Sequence, residues 1–215
     1  QTSSNYWNGN DQWIYTGNIT AYAHWTAITY TIKYDGNGST SGNTPSSTHT
    51  YDKSESLSEN KYLRTGYTFV GWSKTKNGEI QYTNQQSVKN LTSKNGDQIT
   101  LYAVWSVNSY TITFDANGGR ISSTSKIVTY DSTSNNNVSS LNPNKEGYIF
   151  EGWYTSTSGG IQIYGSNGGW KQTDNYWNAS GKWQHTSDEK LYAHWTPITY
   201  YIEFKGNGAT GGSTA

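Results

Sequence analysis

Three short segments recur in order along this chain, and that recurrence restricts it to a string of small, similar units. The first segment reads Tyr30-Thr-Ile-Lys-Tyr-Asp-Gly-Asn-Gly38, Tyr110-Thr-Ile-Thr-Phe-Asp-Ala-Asn-Gly118 and Tyr200-Tyr-Ile-Glu-Phe-Lys-Gly-Asn-Gly208. The second reads Gly66-Tyr-Thr-Phe-Val-Gly-Trp72 and Gly147-Tyr-Ile-Phe-Glu-Gly-Trp153. The third closes each unit: Ala21-Tyr-Ala-His-Trp25, Leu101-Tyr-Ala-Val-Trp105 and Leu191-Tyr-Ala-His-Trp195. Counted between closing tryptophans, 26–105 and 106–195 are complete units. Residues 1–25 then read as the tail of an earlier unit, and 196–215 as the start of a later one or a linker.

Each segment has a physical reading. Tyr110, Ile112 and Phe114 alternate with Thr111 and Thr113, the period-two pattern of a strand with one buried face. The Asn-Gly pairs at 37–38, 117–118 and 207–208 suit a tight hairpin turn with positive φ. In the last strand Leu191, Ala193 and Trp195 share one face. Gly71 and Gly152, each before a Trp, suit a bend or a close backbone approach. No stretch sustains a helical period, although a short helix could occupy the polar middles, 52–63 and 131–142. The expected fold is mainly β, with α+β possible, built of small tandem modules.

Composition fits that picture. Only 32% of residues are hydrophobic, yet 15% are aromatic, with 10 Trp and 19 Tyr. Each buried aromatic covers ~150–250 Å², so a few can seal a small module. Fifteen basic residues balance fifteen acidic ones. A neutral chain has no electrostatic footprint for nucleic acid or an anionic membrane. Without Cys there are no disulfides or thiolate metal sites. No apolar run approaches the ~18 residues that span a bilayer, so membrane insertion is not expected. Neither a signal peptide nor Met is present, and the chain reads as a piece of a longer, multidomain protein, monomeric within it.

The three motifs in this order resemble the Listeria–Bacteroides repeat, the B-repeat of internalin-type bacterial surface proteins. The resemblance covers nearly the whole chain. It implies β-grasp-like units carried in tandem on secreted or wall-attached proteins. It leaves function open, since such repeats serve as spacers, adhesive modules or glycan-binding parts.

Function is therefore sought where the units differ. The repeat pattern accounts for Trp25, Trp72, Trp105, Trp153 and Trp195; Trp7, Trp13, Trp170, Trp177 and Trp183 remain. Segment 5–25 aligns without gaps to 175–195, pairing Asn5, Tyr6, Trp7, Asn8 and Trp13 with Asn175, Tyr176, Trp177, Asn178 and Trp183. The middle unit has Gln85, Gln86, Ser87, Val88 and Ser93 at those places, so the fold closes without the aromatic cluster. The second unit also carries a longer Gly-rich loop, Gly159-Gly-Ile-Gln-Ile-Tyr-Gly-Ser-Asn-Gly-Gly-Trp170. Aromatics on a Gly/Asn-rich loop have the composition of a sugar-binding surface, because a pyranose face packs on a ring while amides bond its hydroxyls. The candidate site comprises Trp170, Asn175, Tyr176, Trp177, Lys182 and Trp183, with Tyr6, Trp7 and Trp13 as a second cluster. A single extra Trp could instead take the core place of Val88 or Leu91. Burial of all five is not expected of modules this small.

No catalytic apparatus stands out. Asp35 and Asp115 recur at a turn, but the third copy has Lys205; turn stabilisation explains them better than a calcium loop. His24 and His194 become Val104 in the middle unit, as expected of an exposed or half-buried strand His. Asp174, Asp188 and Glu189 lie near the aromatic loop, but nothing pairs them as a glycosidase requires. The expectation is a non-enzymatic, extracellular, cell-surface region needing no cofactor or metal. Its partner would be a neutral polysaccharide, with starch or another α-glucan first, as in a starch-adherence protein of a gut bacterium. A structural spacer or protein-binding adhesin is the rival. The two aromatic clusters predict two glycan sites, with strand 19–25 ordered by pairing to the first complete unit.

Overall fold

A computed structural model describes residues 6–213. The first unit opens with β1 (Thr29–Asp35), where Tyr30, Ile32 and Tyr34 face inward and alternate with outward polar residues. β1 pairs antiparallel with β2 (Ser47–Thr50) and parallel with β6 (Gln98–Val107), which in turn pairs antiparallel with β4 (Tyr67–Ser73). The sheet order is β2-β1-β6-β4, and a two-stranded patch, β3 (Glu55–Ser56) with β5 (Ser87–Val88), lies apart from it.

The second unit repeats the plan with β7 (Ser109–Asp115), β8 (Ser125–Thr129), β9 (Tyr148–Tyr154) and β11 (Glu189–Pro197), and adds β10 (Gln162–Gly165) beside β9. Its order is β10-β9-β11-β7-β8, again with the first and last strands parallel neighbours. The mainly-β expectation holds, with no α-helix among the described residues. The polar middle of the first unit holds β3, and that of the second only a 3-10 turn at Ser139–Leu141. Those middles are tied down by single buried anchors, Leu57 and Tyr62 in one and Val138 and Leu141 in the other. Such isolated anchors do not supply the continuous apolar stripe a helix needs.

Trp72 and Trp153 are each 0% exposed and sit at the centre of their units. Phe69 and Tyr34 pack on Trp72 at 4.9 and 4.7 Å, and Phe114 on Trp153 at 4.8 Å. The glycine before each tryptophan sits at a register shift or bulge of the sheet. A Cβ on Gly71 or Gly152 would stand 2.7 or 2.5 Å from the carbonyl oxygen of Tyr82 or Tyr164. That is the close backbone approach the sequence suggests.

The recurrent Asp has the turn role expected of it. Asp35 and Asp115 accept hydrogen bonds from the backbone N–H of Asn37 and Asn117, which take positive φ. The Asn side chains donate to the carbonyls of Ala103 and Ala193, and the indoles of Trp105 and Trp195 donate to Gly36 and Ala116. The turn thereby fastens the first strand to the last. It is not a tight hairpin, because the chain first bridges Ser41 to Leu63, or Arg120 to Asn144, before entering the second strand.

One expectation is overturned. Residues 19–25 form no strand and lie exposed rather than pairing with the first unit. Their counterpart β11 is held by a parallel and an antiparallel partner from its own unit. The first unit has already filled both flanks of β6 with β1 and β4.

Candidate ligand-binding face of the second unit

The extra aromatic segment of the second unit folds as a local hairpin. Trp177 bridges Trp183, and the Asn178 side-chain oxygen accepts from the N–H of Ser180 and Lys182. This places both indoles inward. Trp177 is 1% exposed and Trp183 0%, packed edge-to-face at 5.0 Å, and Tyr176 is buried beside Trp183. The expected aromatic platform is therefore a core, not a surface. Trp170 is half-buried against the same cluster, with its ring edge over Gly181. Asn175 is exposed, and Lys182 is paired with Asp131 at 3.4 Å. The interior volume that a small module lacks is supplied by the insertion itself, since β10 brings Ile163 and Tyr164 into the same cluster.

Around Tyr176 the packing is polar and closed. Its hydroxyl donates to Glu189 at 2.7 Å, and the His185 ring stacks on it at 4.6 Å. Burial, then the Glu189 contact, push the Tyr176 hydroxyl well above its ordinary pKa, so it stays a donor. Asp188 is occupied with the Thr111 N–H, and Asp174 is exposed. His194 stacks on Tyr154 at 3.9 Å, the half-buried strand position expected.

The N-terminal segment 6–15 adopts the same hairpin without the core. Trp7 bridges Trp13, and Asn8 caps the N–H of Asn10 and Gln12. Trp7 and Trp13 are nonetheless 40% and 44% exposed, with Tyr6 half-buried beside Trp13. Asn5 lies outside the described residues.

The Gly-rich loop, by contrast, builds a concave surface. Residues 165–170 bridge back to 136–138, with Asn137 opposite Gly169 and the Val138 N–H donating to Gly168. Between that loop and β9 lies a pocket of about 350 Å³. Half-buried Phe150 and Pro143 give it an apolar floor over Trp153, and exposed Ser139, Asn142, Ser166 and Asn167 form the rim. No charged residue lines it. A second concavity of about 270 Å³ beside Trp195 carries Lys145, Glu151 and His194 and suits a charged ligand better.

The first unit is built differently here, and its concavity beside Phe69, about 320 Å³, is lined by Asn60, Tyr62, Trp105 and the charged Arg64. Four residues before the second motif it carries Tyr62, whose ring packs on Trp72 at 6.4 Å and whose hydroxyl donates to the Tyr34 carbonyl. The second unit has Pro143 at that place. Asn142, Pro143, Ser139 and Phe150 escaped the sequence reading, yet the Tyr62-to-Pro143 exchange between aligned units marks the spot.

Fold and site together define tandem β-repeat modules of the type carried by bacterial surface and membrane proteins, here with one specialised unit. Residues 30–104 and 110–194 each match the Listeria-Bacteroides repeat domain, and the chain belongs to that family. It is 28% identical over 193 residues to a putative Gly-rich membrane protein of Evansella cellulosilytica, covering 89% of this chain and 20% of that one. It is 37% identical over 102 residues to Internalin H of Listeria monocytogenes, covering 46% of this chain and 16% of that protein. A second Evansella putative membrane protein is 28% identical over 198 residues, covering 89% of this chain and 25% of it. The chain thus spans a quarter or less of these relatives. Among the described residues no helix is long and apolar enough to cross a membrane.

Proposed function

We propose that this is a non-catalytic, polysaccharide-binding region of an extracellular bacterial surface protein, and that the second unit holds the ligand. One observation carries the reading: the insertion makes an uncharged pocket with an aromatic and proline floor and a rim of amides and hydroxyls, whereas the first unit's concavity beside Phe69 carries Arg64 and has no inserted loop. A sugar ring offers C–H bonds to such a floor and hydroxyls to such a rim. The absence of lining charge favours a neutral glycan, and a soluble α-glucan such as starch is the first to test. Calorimetric titration with maltooligosaccharides and a panel of other neutral glycans should give saturable binding. Asn142→Ala with Asn167→Ala should weaken it about tenfold, the loss of roughly 1–2 kcal/mol of hydrogen bonding. Binding to none of the glycans would leave the spacer role instead, and binding indifferent to the double substitution would place the site elsewhere.

The spacer reading has support of its own. Only Asn108 separates β6 from β7, and it is held by both units. Its N–H donates to the Gly66 carbonyl at 2.9 Å, and its carbonyl accepts from the Tyr130 N–H at 3.0 Å. A region that projects another domain needs such stiffness, and stiffness does not conflict with glycan binding.

A further inference from the structure

The junction between the two units contains a plug and a socket. The socket is Gly66, which has φ +75°; a Cβ there would fall 2.1 Å from the ring of Tyr130, so the tyrosine fills the place of the missing side chain. Tyr67 meets the same ring edge-on at 5.8 Å, and Arg64 lies 3.9 Å over the Tyr67 ring and sets its orientation. The Thr68 hydroxyl donates to Asn108 at 2.7 Å and ties the socket to the linker residue.

The second unit presents the same socket with nothing in it. Gly147 also has φ +75°, but among the described residues no atom beyond its own chain neighbours lies within 4 Å of where its Cβ would stand. Lys145 covers Tyr148 at 4.3 Å, as Arg64 covers Tyr67. The Ile198 N–H donates to the Gly147 carbonyl at 2.9 Å, which repeats the Asn108–Gly66 bond. The polar Thr68–Asn108 pair is replaced by Ile149 and Ile198, both exposed and apolar. An isolated exposed Ile is ordinary, but here two coincide at one homologous junction, beside an open glycine and an exposed tyrosine. Past Ile198 the first-strand motif begins again, and Ile202 and Phe204 lie exposed where their counterparts Ile112 and Phe114 are buried.

We propose that the Gly147–Ile149 edge, with Ile198, is the docking surface for a following repeat unit of this same fold. That unit begins at strand residues 199–205 and inserts the tyrosine equivalent to Tyr130 over Gly147. The occupant follows from continuity with the occupied junction. The first unit carries the matching plug at its leading end, where the Tyr51 N–H donates to Ile28 just as Tyr130 donates to Asn108. Each unit therefore presents a plug ahead and a socket behind, and stacking propagates by one contact between nearest neighbours.

The test uses this chain extended by a further copy of residues 109–195 after Ile198, a unit with its own buried core. Spin labels on exposed positions of neighbouring units report the distance distribution across each junction. The new junction should be as narrowly distributed as the existing one. Ile149→Lys should broaden the new distribution, leave the first junction alone, and leave the melting of the unextended chain unchanged. Tyr130→Ala placed only in the added copy should do the same, and serves if the lysine disturbs folding. A broad distribution across the unsubstituted new junction, or a narrow one that neither substitution alters, would overturn the proposal.

Discussion

The segments 6–15 and 176–185 share a Tyr-Trp-Asn…Trp pattern, a hairpin and a capping arrangement, yet one is surface and the other core. In both, an Asn oxygen caps the turn and two tryptophans bridge across it, and the Tyr6 and Tyr176 carbonyls accept from Ile14 and Gln184. Local sequence settles local shape in each. What differs is the company: Tyr164, Ile163 and Leu191 cover Trp177 and Trp183, whereas residues 6–15 have no sheet above them among the described residues. An aromatic cluster in a repeat protein is thus a statement about which unit completes it.

The comparison breaks or holds most visibly on truncation. Trp177→Ala or Trp183→Ala should cost about 3–5 kcal/mol, as for a buried tryptophan, and lower the second unit's calorimetric transition. Trp72→Ala should cost as much, but in the first unit. A W177A chain that melts normally would show the indole to be dispensable, and would revive it as a surface platform.

Acid offers a smaller test that separates the two units. His49 of the first unit is 1% exposed and stacked on Tyr30 at 5.7 Å, and among the described residues its Nδ1 has no hydrogen-bond partner. Burial holds its imidazole below the ordinary value, with the Glu55 carboxylate at 3.9 Å opposing part of that shift. The unfolded chain then binds the proton more readily than the folded one. Stability is whole above the unfolded value of about 6.5 and falls as pH drops below it. Val128 stands in the corresponding place of the second unit, so only the first unit's melting should soften between neutral and mildly acid pH. His49→Val should remove that slope; a slope that survives the substitution would assign it to other groups.

Filling the pocket should hardly touch stability. Pro143→Tyr supplies the ring that Tyr62 places in the first unit, and is expected to shift stability by less than about 1.5 kcal/mol, since the space is already there. Glycan titration should nevertheless fall to background. Retained affinity would separate the pocket from binding. Least of all, Trp7→Ala and Trp13→Ala should stay within about 0.5 kcal/mol of the parent, as for exposed positions. A larger loss would mean that the tail is packed in solution.

Much of the fold was legible. Alternation placed the strands, the Gly-Trp pairs placed the core, and the recurrent Asp explained its turn, because each is a short-range rule. The candidate site was legible only in part. The inserted loop stands out by its length and glycines, but Trp177 and Trp183 read as exposed when they are buried, since composition cannot say which way a ring points. The pocket depends on Tyr62 becoming Pro143, a change of volume rather than of chemistry, and a search for sugar-binding residue types passes over it. The order of residues 19–25 failed for a different reason: whether a strand forms depends on whether its partners are free.

The parallel pairing of first and last strands has a mechanical meaning. In each unit the chain enters at one end of β1 or β7 and leaves at the far end of the neighbouring β6 or β11. Tension along the chain therefore pulls two adjacent strands in opposite directions, and their hydrogen bonds bear load side by side instead of parting one by one. The indole of Trp105 or Trp195, bonded across to the opening turn, lies in the same line of force. Single-molecule stretching should accordingly show each unit resisting to a high force and then yielding abruptly, all its shared bonds parting at once.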